Sequence, residues 1–182
     1  MEESTEEPQA PVAPTENELR LLQQVKLILA LKYAKNDNQA AEILPHLYLG
    51  SVGAAMHKKN LQSAGITHII AVADNIKPRF PEIFTYKCVD FLDTCTADLL
   101  SILPECFEFI DDAQRNEGKV LLHCFAGKSR SAAVCIAYVM KSLNISLLEA
   151  FRHVRERRQC ALPNTGFMRQ LKKYEESLGI SG

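Results

Sequence analysis

The densest chemistry in the sequence is the run His123-Cys124-Phe125-Ala126-Gly127-Lys128-Ser129-Arg130-Ser131. It follows the apolar Val120-Leu121-Leu122 and leads into an apolar stretch from Ser129 to Leu143, so it reads as a short loop between a strand and a helix N-terminus. Such a loop turns successive backbone N–H groups into one concave nest, and the helix dipole adds positive potential there. A phosphate dianion suits that nest. Gly127 supplies the backbone freedom for the turn. The planar fork of Arg130 can bind two phosphate oxygens, which a lysine cannot copy. Cys124 begins the loop, so its sulfur is expected on the floor of the nest. The groups that hold phosphate also favour a thiolate there. A thiolate beneath a bound phosphorus is placed for in-line attack. The hydroxyl of Ser131 can donate to the sulfur when it leaves, and His123 is expected to orient the loop rather than act as a base. Phe125, Ala126, Gly127, Lys128 and Ser129 are the expected substrate contacts beside Arg130.

Other chemistries fit less well. Gly127-Lys128-Ser129 mimics the end of a nucleotide-binding P-loop, but that motif needs glycine where Leu122 stands. A Cys-His protease needs a partner histidine in context, and His46, His57, His68 and His153 offer none. Cys106 and Cys135 read as inert core. A phosphoester also needs an acid, because its alcohol leaves as an alkoxide or phenoxide that must be protonated. The carboxylates shortly before the loop are Asp90, Asp93 and Asp98. Asp90 falls within a predicted strand, Asp98 stands where a helix would be N-capped, and Asp93 lies on the loop between them.

The elements that must position these groups alternate. Strands are predicted at His46–Leu49, Thr67–Ala73, Tyr86–Phe91 and Lys119–His123, with a turn at 50–53 and helices over Lys58–Ala64 and Leu99–Arg115. Pro104 should kink the second of these or delay its start. Three helices follow the loop: an almost wholly apolar one over Ser129–Leu143, one opened by the capping box Ser146-Leu147-Leu148-Glu149 and running to about Arg158, and one N-capped by Asn164 and running to about Leu178. The fold class is α/β, a central mixed sheet flanked by helices.

Charge divides the chain. Residues 1–18 hold six glutamates and no basic residue, which leaves 16 acidic and 21 basic residues in 19–182, a net of +5. Residues 1–17, rich in Glu, Pro and Ala, read as a disordered acidic tail. Residues 18–35 read as an amphipathic basic helix that either packs on the domain or docks a partner such as calmodulin. The domain proper spans 40–180. Its mild basic excess suits anionic substrates and falls short of a nucleic-acid footprint. No apolar run reaches the roughly 18 residues of a membrane span. The six cysteines form no C-x-x-C pair, so zinc and redox motifs are excluded. Reduced thiols in the cytosol or nucleus are expected. Whether Cys88 or Cys95 could protect Cys124 as a disulfide stays open.

The pattern His-Cys, five residues, Arg-Ser resembles the signature of the protein tyrosine phosphatases, in their dual-specificity branch. Leu47-Tyr48-Leu49-Gly50-Ser51 looks like the branch's opening strand, Ala137-Tyr138-Val139-Met140 its central helix, and Pro163-Asn164-Thr165-Gly166-Phe167 with Gln170-Leu171 its last helix. Phe125, Lys128 and the N-terminal helix look most like the small plant members. The resemblance covers about residues 40–178. It implies hydrolysis of protein phosphotyrosine and phosphoserine or phosphothreonine through a phosphocysteine, with no cofactor or metal. It places the acid seven residues after a Tyr-Lys pair, which from Tyr86-Lys87 is Asp93. Tyrosine-only members are longer, so a shallow pocket is implied here. Arg152, Arg155, Arg157 and Arg158 are either a solvated basic face or, at Arg158 above all, a site for the second phosphate of a doubly phosphorylated segment such as a MAP kinase activation loop. A phosphoinositide phosphatase is the alternative within the chemistry, and a phosphate-binding pseudophosphatase the alternative outside it.

Overall fold

The structure, a computed structural model, describes residues 15–180. Five strands form one sheet in the order β1-β2-β5-β3-β4. They are β1 (Ala41–Leu44), β2 (Leu47–Gly50), β3 (His68–Val72), β4 (Thr85–Val89) and β5 (Val120–His123). Only β1 runs antiparallel to its neighbour; β2, β5, β3 and β4 are parallel in sequence of contact. Both faces of a parallel sheet are covered, so its strands are continuous apolar runs. All four residues of β5 are buried, which is why Val120-Leu121-Leu122 lacks alternation.

The helices are α1 (Glu16–Asn36), α2 (Val52–Ala55), α3 (Lys58–Ser63), α4 (Leu99–Arg115), α5 (Arg130–Leu143), α6 (Leu147–Arg157) and α7 (Thr165–Ser177). Helix α5 is the hub of the larger core, buried from Arg130 to Met140. Phe167, Leu171, Val154, Ile110 and Cys106 pack around it from the neighbouring helices. Tyr48, Leu61, Ile66, Ile69, Phe84 and Leu121 build a smaller cluster on the other face. The capping box at Ser146 and the Asn164 cap both form as the sequence suggests.

Two elements depart from expectation. Strand β1 stands where the sequence predicts no element, and the single turn α2 overlaps the turn expected at 50–53. Both are four residues long, too short for a period to show. Ser51 caps α2 through its side chain, which accepts from the Gly53 N–H. Pro104 neither delays nor ends α4, which starts at Leu99 as its cap Asp98 dictates. In helix α1 the side chains of Leu21, Val25, Ile28 and Leu29 are 40–65 % exposed, so they are not core. The acidic stretch 1–14 lies outside the described residues. Among those described, no single helix is long and apolar enough to cross a membrane.

Candidate active site

Strand β5 ends at His123 and α5 begins at Arg130, so the loop between them carries Cys124 to Ser129. Four of its carbonyls are held from outside. The Val52 N–H donates to the Phe125 oxygen (3.1 Å) and the Leu162 N–H to that of Lys128 (2.7 Å). Arg158 donates to the other two, from Nη2 to Ala126 (3.1 Å) and from Nε to Gly127 (2.9 Å). A planar peptide points its N–H opposite its carbonyl, so amides whose preceding carbonyls face out face the interior of the loop. The nest inferred from sequence is therefore built by donors from α2, the end of α6 and the segment before α7. Gly127 has φ of +63°, and a Cβ there would run into the Gly50 carbonyl and stand 2.6 Å from Arg158 Nη2. Glycine is required on both counts.

Cys124 is buried on the floor of this loop, 2 % exposed. Its sulfur accepts from the Gly127 N–H (3.2 Å) and from Ser131 Oγ (3.1 Å). These donors stabilise charge on sulfur, whether it is a nucleophile or a leaving group. His123 is fully buried, and burial pulls its imidazole down to about 4. It is neutral at pH 7, and its Nδ1 lies 3.2 Å from the Cys124 carbonyl. A carbonyl only accepts, so Nδ1 carries the proton and donates.

Arg130 is 8 % exposed. Its Nη1 donates to Asp74 Oδ1 (3.0 Å) and to the Phe91 carbonyl (3.2 Å). Its Nε is buried without a hydrogen bond, 3.7 Å from Asp93 Oδ2. Asp93 itself is held on the rim of the site. Its Oδ1 accepts from Ser129 Oγ (2.6 Å) and Asn164 Nδ2 (2.9 Å). Asn164 at the same time caps α7 by accepting from the Phe167 N–H (2.9 Å). The carboxylate, the loop and a helix cap thus form one hydrogen-bonded unit. Asp98 is spent on capping α4, where it accepts from the Ser101 N–H. Asp90 is exposed just beyond β4 and does not line the cavity over Cys124.

That cavity has a volume of about 260 Å³. Every residue from Cys124 to Arg130 except Gly127 lines it, together with Asp74, Ile76, Asp93 and, from the N-terminal helix, Leu29. Phe125 is half-buried in its wall and Lys128 is exposed on its rim.

Arg158 corrects the sequence-based expectation. It is 7 % exposed and stands behind the loop, with its fork on Asp37 Oδ1 (3.3 Å) and Oδ2 (2.7 Å) as well as on two loop carbonyls. Its donors already have protein acceptors, so it shapes the nest and does not receive a second phosphate. Arg152 and Arg157 are exposed, and Arg155 packs over the Phe151 ring. All six cysteines are free thiols. Asn164, Asp37 and Asp74 are the site residues that sequence reasoning missed as such. Only Asn164 left a trace, as a helix cap.

Comparison with known proteins decides the family. The model for the dual specificity phosphatase catalytic domain matches residues 47–177. The chain belongs to the dual specificity phosphatases. It is 43 % identical over 157 residues to dual specificity protein phosphatase 1 of Arabidopsis thaliana, covering 86 % of this chain and 79 % of that one. With the 1B protein of the same plant it shares 40 % over 147 residues, 81 % of this chain and 88 % of that one. The crystal structure of the human tyrosine phosphatase-like serine/threonine/tyrosine-interacting protein superposes with a TM-score of 0.73 at 42 % identity, covering 77 % of this chain and 97 % of that one. This dual specificity phosphatase is a phosphoric monoester hydrolase acting on phosphoproteins.

Proposed function

We propose that the chain hydrolyses phosphotyrosine and phosphothreonine or phosphoserine in proteins by two displacements at Cys124. The Cys124 thiolate attacks phosphorus and the P–O ester bond breaks, while Asp93 gives its proton to the departing oxygen. Arg130 and the loop amides hold the equatorial oxygens throughout. Asp93, now a carboxylate, takes a proton from water, and that water displaces Cys124 as the P–S bond breaks. Ser131 donates to the leaving sulfur. The observation that carries this reading is the placement of Cys124 Sγ under two donors, beside an arginine whose buried Nε lacks an acceptor. A tetrahedral oxyanion over the sulfur supplies that acceptor. Cys124→Ser should abolish turnover of phosphopeptides and still bind them, and a pull-down with that variant tests the mechanism and captures substrates together. Residual hydrolysis by the purified variant would exclude the phosphocysteine.

Phosphorylated MAP kinases are the substrate class to examine first. The support is the exposed arginines of α6, Arg152 and Arg157, not Arg158. Phe125 leaves Lys128 as the one added charge among the loop side chains, which favours phosphoproteins over inositol lipids. Calmodulin is proposed as a partner of residues 18–35 because Leu21, Val25 and Ile28 are exposed on α1, in a segment that also carries Lys26 and Lys32. Calorimetry of the whole protein with calcium-loaded calmodulin should register binding in the micromolar range, and absence of heat would remove that partner. Six free thiols support residence in a reducing compartment, cytosol or nucleus.

A further inference from the structure

A guanidinium has two edges that can meet a tetrahedral oxyanion in parallel, Nη1–Nη2 and Nε–Nη2. In Arg130 the choice between them is already made. Nη1 is taken twice, by Asp74 Oδ1 at 3.0 Å and by the Phe91 carbonyl at 3.2 Å. Nε is buried and makes no hydrogen bond. The Nε–Nη2 edge is therefore the one left for the ligand.

We propose that Asp74 is the positioning residue of Arg130, holding the guanidinium by Nη1 so that its Nε–Nη2 edge faces the phosphoryl group before substrate arrives. The proposal rests on Arg130 as the phosphate ligand and adds the group that aims it. Asp74 is suited to this by where it stands. It follows Val72, the last residue of strand β3, by two positions, in a turn closed by Asn75 with φ of +56°. The turn lines the catalytic cavity together with Asp93, and Arg130 is within ion-pair reach of both carboxylates, Asp74 and Asp93. They are not equivalent. Asp74 meets Nη1 at hydrogen-bond distance, whereas Asp93 stands 3.7 Å from Nε and spends Oδ1 on Ser129 and Asn164. The Asp74 side chain is 22 % exposed, so its bond to Arg130 is partly shielded from solvent.

The sign of the effect separates aiming from simple charge. An anion beside an anion site repels the ligand, so removing the Asp74 charge alone should tighten oxyanion binding. Removing the acceptor oxygen should loosen it. Asp74→Asn keeps an oxygen for Nη1 and drops the charge. Asp74→Ala drops both. We expect inorganic tungstate, titrated calorimetrically into the full chain, to bind Asp74→Asn at least as tightly as the unaltered protein. It should bind Asp74→Ala about tenfold more weakly, the size of one lost charge-assisted hydrogen bond. The kcat/KM for a phosphopeptide should follow the same order. In an Arg130→Lys background, Asp74→Ala should add less than a twofold further loss, because no guanidinium remains to be aimed. Tighter binding by both variants would mean that Asp74 only repels. Equal loss in both, or full additivity with Arg130→Lys, would mean that it acts as an acid or a structural support. No change in either would also overturn the proposal. If the unaltered chain fails to bind tungstate at all, Arg130 as phosphate ligand falls first, and the aiming role with it.

Discussion

Asp93 holds its position through Ser129 and Asn164, two residues that belong to the phosphate loop and to a helix cap. Its importance should depend on how badly the leaving group needs a proton. General acid catalysis contributes roughly 100- to 10,000-fold. A phenolate carrying electron-withdrawing groups departs almost unaided, while the alkoxide of phosphothreonine does not. Asp93→Asn should therefore lose far more kcat on a phosphothreonine peptide than on an activated aryl phosphate. Asp90→Asn should show no such selectivity, since Asp90 is outside the cavity. Steady-state kinetics of both variants on both substrates decide the matter. Equal losses for Asp93→Asn would assign the acid elsewhere.

At the scale of elements, the phosphate loop is shaped by what surrounds it. Arg158, at the C-terminal end of α6, spans from two loop carbonyls to Asp37, the residue after α1. Ser51 Oγ, at the cap of α2, also donates to the Asp37 carbonyl (3.1 Å), so the ends of α1 and α6, the start of α2 and the loop share one partly buried polar junction. Arg158→Lys keeps the charge and loses the fork, so at least one loop carbonyl or one Asp37 oxygen goes unserved. It should cost about 1–3 kcal/mol of stability. It should also weaken phosphate binding whatever the alcohol portion of the ester, because the nest is common to all substrates. Denaturant melts and product inhibition by phosphate measure the two effects. Unchanged phosphate affinity would show that the loop keeps its shape without this support.

Over the whole molecule, His123 links the site to the stability of the fold. It sits at the end of the central strand, fully buried and neutral, with its imidazole pulled down to about 4 by burial. Released into water on unfolding, an imidazole takes up a proton near pH 6.5. Above that value neither state binds the proton, so stability is unaffected. Between pH 6.5 and about 4 only the unfolded chain binds it, so stability falls as pH falls. Below about 4 both states are protonated and the loss levels off. The full loss is on the order of 3 kcal/mol. His123→Asn keeps a donor for the Cys124 carbonyl and has nothing to titrate. Its stability should fall less steeply than that of the unaltered protein over this interval, as read from urea unfolding at each pH. Parallel curves would mean that His123 is not the group responsible.

The chemistry of the loop was legible in the sequence because it is contiguous. Cys124, Gly127, Arg130 and Ser131 lie within eight residues, between a buried strand and a buried helix, and local geometry alone brings them together. The long helices were legible for a similar reason, since α4 to α7 are each at least 11 residues long, and side-chain caps mark the starts of α4, α6 and α7. Strand β1 and the turn α2 were not, because four residues carry no period. What the tertiary structure alone decided is which distant side chains meet that loop. Sequence left Arg158 open between substrate ligand and bystander, and packing turned it toward the back of the loop. Asp37 and Asp74 are ordinary turn residues in the sequence, separated from the loop by whole strands and helices. Their roles follow from the parallel order β2-β5-β3, which sets the ends of three strands side by side around Cys124. Strand order is settled by the burial of both faces of the sheet at once, and no local pattern of residues records it.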